Sequence, residues 1–194
     1  MNRALKTIII IIIFFLMSTP GIFASDIPFG KLVEKQTKVE KIYRNKFVTT
    51  LVVNAVYRNM EFREGYVHEY SKAYQLTKAE EDAMLTKEKE QDENEISFYL
   101  FAYTEEEKWN NFDKANPAWK IYLKDDKSNR LEPLSVKRFT LEPALHFIYF
   151  PLVSQWMKGY EVSFPKSIDI NNAKSLTIIL TGFLGNTEMT WEIK

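Results

Sequence analysis

From Phe47 to Tyr57 the chain reads Phe-Val-Thr-Thr-Leu-Val-Val-Asn-Ala-Val-Tyr, with neither Gly nor Pro. β-branched and aromatic residues of this kind fit a pleated, packed surface. Side chains alternate across a strand, so Phe47, Thr49, Leu51, Val53, Ala55 and Tyr57 share one face, while Val48, Val52 and Val56 partly cover the other. A strand that is apolar on both faces belongs in the middle of a sheet.

Shorter runs of the same composition follow at Ile96 to Tyr103, Trp119 to Leu123, Leu145 to Phe150, Tyr160 to Phe164 and Leu176 to Leu184. The last run alternates most cleanly, with Met189, Trp191 and Ile193 on one face and Glu188, Thr190 and Glu192 on the other. Gly185-Asn186 tolerates positive φ and predicts a tight turn in a terminal hairpin. Leu131-Glu-Pro-Leu and Leu141-Glu-Pro-Ala-Leu each open a strand-like run; we read the likeness as strand spacing, since two copies make no solenoid. Short strands at these intervals predict a mainly β chain, an antiparallel immunoglobulin-like β-sandwich, although the Cys-Trp-Cys hallmark of antibody domains is missing.

One stretch breaks the β pattern. At about residues 61–93 helix formers replace β-branched residues, and Tyr66, Tyr70 and Tyr74 recur every fourth position on one helical face. Thr77-Lys-Ala-Glu80 predicts a capping box for a second helix, with acids suitably placed in its first turn. This helical insertion is strongly acidic, with eight acids and three lysines between residues 78 and 95. The stretch Lys31 to Lys46 is its basic counterpart, with six basic residues and two acidic ones. It reads either as a helix with Lys31, Lys35, Lys38 and Lys41 along one edge, or as a leading edge strand.

The first 24 residues have the layout of a secretory signal peptide. Arg3 and Lys6 precede an apolar run from Ile8 to Met17, and small residues follow. Such a run would span about 15 Å as a helix, half of a bilayer core of about 30 Å, so no transmembrane segment is expected in the mature chain. Cleavage after Ala24 or Ser25 would leave residues 25–194 as a single domain, exported to the periplasm or secreted. Loss of Arg3 and Lys6 turns the balance of 26 basic and 26 acidic residues slightly acidic. That balance argues against nucleic acid as a partner, because such binding rests on clustered Lys and Arg neutralising phosphates. The absence of Cys from the 194 residues excludes disulfides, thiolate metal sites, cysteine nucleophiles and lipid attachment at a cysteine.

Motifs for chemistry are few. No His-Glu-x-x-His, Gly-x-Ser-x-Gly, Walker loop or Gly-x-Gly-x-x-Gly occurs, so no catalytic residue and no cofactor is assigned. His146 reads as a strand-face residue. Glu64 and His68, four apart on a helix, form a weak candidate metal pair, but a zinc site needs at least three protein groups as a rule. The aromatics carry more. Trp119 and Trp191 fall in phase with core positions, whereas Trp109 and Phe112 lie in a polar loop and Trp156 in a turn. Together with Tyr66, Tyr70 and Tyr74 these are the candidate partner- or ligand-binding residues, since aromatics combine large contact area with small entropy loss.

Taken together, Tyr57 to Tyr74, Thr77 to Met84, Phe98 to Thr104, Trp119 to Leu123, the Phe150 to Pro165 run with Trp156 inside it, and the Leu176 to Trp191 hairpin give a layout over most of the mature chain. It resembles a group of bacterial exported proteins of unknown activity, many of them lipoprotein-like. This sequence departs from those members in lacking the lipid-bearing Cys, and the resemblance assigns no functional residue. The function expected is that of an exported, non-catalytic cell-envelope protein that binds or supports another envelope component, another envelope protein first of all. Alternatives are a carbohydrate- or lipid-binding module using exposed aromatics, and a hydrolase with a His or carboxylate site.

Overall fold

The structure is a computed structural model that describes residues 28–44, 48–140, 149–167 and 172–193. The expected signal peptide and His146 lie outside the described residues. The described chain is mainly β, with two antiparallel sheets and three α-helices. It opens with α1 (Phe29–Gln36), β1 (Thr37–Arg44) and β2 (Val48–Tyr57), followed by the helices α2 (Met60–Tyr74) and α3 (Lys78–Asn94). Then come β3 (Glu95–Thr104), a short 3-10 turn (Glu107–Trp109), β4 (Lys120–Asp125), β5 (Arg130–Leu131), β6 (Ser135–Phe139), β7 (Lys158–Pro165), β8 (Ser175–Gly182) and β9 (Gly185–Glu192).

The first sheet has the order β1-β2-β3-β7-β6 and the second β5-β4-β8-β9. One apolar cluster draws on both: Leu51, Val53 and Ala55 of β2 and Phe98 and Leu100 of β3 meet Leu123, Ile178 and Trp191 from the second sheet. The inward face of β2 is the one its alternation predicts. Its other face is covered too. Val56, with Phe101 of β3, lies in a second cluster beneath Phe29, Leu32 and Val33 of α1, Phe62 of α2, and Tyr149, Phe150 and Val153. A helical layer on the outside of the first sheet is why β2 is apolar on both faces. The second sheet has no such layer, and its strands alternate, with Ile121, Leu123 and Met189 buried and Lys120 and Glu188 exposed.

The helices form where their end signals fall. The Asn59 side chain accepts from the backbone N–H of Phe62 at the start of α2, and Gln75 closes that helix at φ 52°. At α3 the capping box is complete: the Glu80 carboxylate accepts from the Thr77 N–H at 2.7 Å, and the Thr77 hydroxyl accepts from the Glu80 N–H. Since α3 buries none of its residues, side-chain pairing rather than apolar packing must dock it.

Three expectations change. The basic segment is neither one helix nor one strand: α1 carries Lys31 and Lys35, and β1 carries Lys38 and Lys41, so the lysines share no helical edge. The terminal hairpin turns at Phe183-Leu184, with Gly182 opposite Gly185, which places Gly185-Asn186 at the start of β9. Phe183 is fully exposed at that tip. Tyr149 and Phe150, expected to end a strand, lie outside any strand and pack instead on the outer face of the first sheet.

The two sheets meet along one side. Gly185, at φ 135°, would bring a Cβ to 2.7 Å from the Ile42 side chain of β1, and the Trp191 indole N–H donates to the Gln36 carbonyl at 2.7 Å. This closes the β1/β9 side. Among the described residues no helix is long and apolar enough to cross a membrane.

Candidate ligand cleft at the open edge

Among the described residues the opposite side stays open. The first sheet ends at β6, and the second ends at the two-residue β5, which pairs only with Leu123 and Lys124 of β4. Backbone groups on that side of Lys120–Tyr122 and on the outer side of β6 therefore have no ladder partner among the described residues. Local sequence explains the gap. Pro133 has no N–H to donate, so it interrupts pairing between β5 and β6. Before β5 the chain is held by Asp125, whose carboxylate accepts from the backbone N–H of Lys127 and Asn129 and from the Asn129 amide at 3.0, 2.7 and 2.6 Å. Burial raises the pKa of Asp125, but these bonds outweigh it and hold the carboxyl below its usual range.

Between the two edges lies a cleft of about 390 Å³, lined by the Phe112–Ala115 loop, residues 119–122 of β4 and residues 132–136. That size is within the range of small-molecule sites. Trp119, Ile121 and Val136 come from the inward faces of the sheets, and Leu134 stands 62% exposed at the mouth. The Trp119 ring is wholly buried, and its indole N–H has no acceptor among the described residues.

A second hollow, of about 500 Å³, shares the wall formed by Asp113 and Lys114. Four cations line it, Lys108, Lys114, Arg138 and Lys158, against the carboxylates of Glu107 and Asp113. Two of the cations stand where apolar residues would be expected. Arg138 is on the same face of β6 as Val136, and Lys158 is on the same face of β7 as Tyr160, both being the face turned towards the second sheet. Lys158 donates to Glu107 at 3.0 Å, and this bond and charge hold the Glu107 carboxyl below its usual range. Beneath them Asn110 is fixed by Ala102 and by the Tyr160 hydroxyl, which donates to the Asn110 carbonyl at 2.8 Å. Burial, with Asp113 adding to it, pushes the Tyr160 phenol up to about 12.

The structure distributes the aromatic candidates rather than gathering them. Phe112 is only 3% exposed and packs edge-on against Tyr160, with centroids 5.2 Å apart, so it is a wall of the core and not a free docking ring. Its polar neighbourhood in sequence hides this inward turn. Trp109 is half-buried with the Lys108 ammonium 5.6 Å from its ring centre, whereas Trp156 is 72% exposed in the loop before β7. Tyr66, Tyr70 and Tyr74 do form the ladder their spacing predicts, with centroids 6.2 and 4.4 Å apart. Tyr66 also packs on Phe62 and Tyr149, and burial raises its phenol above the usual range. Of the three, Tyr66 packs against the outer apolar cluster, while Tyr74 is exposed at the far end of the ladder.

His68 faces Glu81 of α3 at 3.3 Å, and Glu64 is exposed. No group of three metal-ligating side chains forms among the described residues. The most buried polar cluster was missed by sequence reasoning altogether. Arg58 and Arg63, 4% and 1% exposed, share Glu88 of α3; Arg58 also pairs with Glu161 of β7, and Arg63 donates to the Ser97 hydroxyl at 2.7 Å. The Arg58 guanidinium lies 4.4 Å from the centre of the Tyr99 ring. This cluster docks α3. Its only local signal is Arg58 directly after an apolar strand, where a solvated residue is the default expectation. Compared with known proteins, the chain matches no family model, no curated protein and no solved structure.

Proposed function

We propose that this chain is an exported, non-catalytic binding module of the cell envelope, in the periplasm or outside the cell, and that it takes its ligand in the open-edge cleft. The observation that carries this is the cleft itself: about 390 Å³ walled by Leu134, Val136, Asp113, Lys114 and Lys120, where two strand edges are left unpaired among the described residues. Concave sites of this size are the usual form of small-molecule sites, and this one presents more polar than apolar surface. Export is supported by the leader of basic, apolar and small residues. Immunoglobulin-like layering is supported by the core the two sheets share, although three consecutive strands lie side by side in one sheet, unlike the immunoglobulin strand order.

The test uses dodecanol below its solubility limit as an uncharged apolar probe, followed by calorimetry. Leu134→Asp is exposed enough to leave the fold intact and places a charge at the mouth. The expected result is saturable binding that weakens at least fivefold in the variant; no binding to either protein would refute the cleft as the site. A second reading, docking to another envelope protein, is favoured by Trp156 at 72% and Leu152 at 54% exposure in one loop. It predicts a cross-linked envelope partner that Trp156→Ala loses while still binding dodecanol.

A further inference from the structure

Resting on that reading, we propose that the ligand is an anionic amphiphile, its apolar part in the cleft and its carboxylate or phosphate head in the adjoining hollow, held by Arg138 with the amide of Asn111. The two spaces share the wall of Asp113 and Lys114, so a ligand that reaches both must pass over those two residues.

The head-group site follows from which cations are already neutralised. Lys158 pairs with Glu107 at 3.0 Å, Lys114 with Asp113 at 3.4 Å, and Lys108 with Glu106 at 3.7 Å while lying over Trp109. Arg138 alone of the four has no ion pair and no hydrogen bond among the described residues. Its planar guanidinium presents parallel N–H groups that match a carboxylate or phosphate bidentately. Asn111 supplies a neutral donor: its oxygen is used by the Ala118 N–H at 2.8 Å, which fixes the amide, and its NH₂ has no acceptor among the described residues. Carboxylates at the rim, Glu107 and Asp113, are each bonded to a lysine; Glu107 also feels the charge of Arg138, which nevertheless keeps its N–H groups unbonded among the described residues. Leu134 and Val136 on one side of the shared wall and the Arg138 guanidinium on the other are the two features an amphiphile would engage.

An inward-facing charge on an edge strand also blocks edge-to-edge pairing, and the experiment separates the two roles. The purified protein, and its Arg138→Ala and Arg138→Lys variants, are titrated calorimetrically with dodecanoate, dodecyl phosphate and dodecanol, each below its aggregation limit, and with inorganic phosphate alone. Oligomeric state is followed by light scattering. Expected is binding of one or both anions at least tenfold tighter than of dodecanol, a difference of about 1.4 kcal/mol. The preference should shrink with added salt, persist in part in Arg138→Lys and vanish in Arg138→Ala, while dodecanol affinity stays unchanged. Whichever anion shows the larger preference identifies the head group, and inorganic phosphate should bind weakly without the chain. Equal affinity for dodecanol and the anions overturns this proposal and leaves the cleft standing. Failure of all probes overturns both. Self-association of Arg138→Ala with unchanged anion preference assigns Arg138 to edge protection and also overturns it.

Discussion

Replacing Glu88 by Gln should undock α3 at a cost readable by urea denaturation. Glu88 is the carboxylate that both buried arginines share, at 3.0 Å from Arg58 and in direct contact with Arg63, whose side chains are 4% and 0% exposed. Removing one partner of a buried ion pair costs about 3–5 kcal/mol, because the charge left behind has lost its water without keeping its counter-ion. Part of that loss is absorbed here. Arg63 retains the Arg58 carbonyl at 2.9 Å, Gln91 at 3.1 Å and Asp92 at 3.6 Å, and Arg58 retains Glu161 and the face of Tyr99. Gln itself still offers a carbonyl. An expected loss of about 2–3 kcal/mol follows, just below the buried-pair range. With a slope of about 1–3 kcal/mol per molar urea, the midpoint moves by roughly 1 M. Lys78→Ala is the control, since its pair with Asp82 is exposed and screened by water. Added salt should erase the control's effect and leave most of the Glu88→Gln effect, because a buried pair is screened little. Equal midpoints for Glu88→Gln and Lys78→Ala would refute the claim that the arginine cluster docks this helix. Faster proteolysis within α3 in the variant is the local counterpart of the same loss, since no residue of α3 is buried.

Gly185→Ala combines a φ of 135° with a Cβ 2.7 Å from Ile42, so it should destabilise by about 1–3 kcal/mol and loosen the β1/β9 seam. Gly30→Ala, which meets nothing within 4 Å in α1, should instead be neutral or gain up to about 1 kcal/mol; melting curves of the pair check both signs. Burial raises the phenols of Tyr57 and Tyr160 to about 12, so the folded protein holds protons that the unfolded chain releases near pH 10. Their stabilisation is therefore fully present below about pH 10 and falls between about 10 and 12, by up to about 1.4 kcal/mol per pH unit for each. Urea midpoints measured across that range, with tyrosinate absorbance recorded in parallel, test this; a flat profile would count against the burial of both hydroxyls.

What could be read from the sequence was whatever depended on neighbours along the chain. The alternation of β2, the capping box of α3 and the four-residue spacing of Tyr66, Tyr70 and Tyr74 are set by local geometry, and each appears as expected. The rest depended on residues far apart. Arg58 meets Glu88 and Glu161 across 30 and 103 positions, so nothing beside it announces that it is buried. Phe112 sits among polar residues, and only its contact with Tyr160, 48 positions later, turns it inward. The mixed fate of the basic segment has a similar cause: Leu32 and Val33 find an apolar face beneath α2, and Lys38 and Lys41 find a strand to pair with at Ala55 and Val52. Arg138 was invisible for the opposite reason, since a cation on a short strand is ordinary until the register shows which face it occupies.

That register also bears on why one side of the molecule is open at all. An unpaired strand edge invites pairing with another chain, and proteins usually blunt it. The devices are present here: β5 is only two residues long, Pro133 interrupts the chain beside it, and β6 carries Lys137 towards the outer face and Arg138 towards the inner one. The opposite side needs none of them, because β1 and β9 close against each other through Gly185 and Trp191. An edge guarded in this way resists addition of a strand yet keeps the space between the sheets accessible, so access by a small molecule fits better than strand exchange. Arg138 then serves both ends, repelling a second edge and presenting a guanidinium to an anion. If the guard were its whole role, a neutral polar residue of similar size would cause association and leave the anion preference unchanged. Arg138→Gln should instead keep the parent's oligomeric state, since Pro133, Lys137 and the short β5 still guard the edge, while the preference disappears, a separation that light scattering and calorimetry on the same sample can read together.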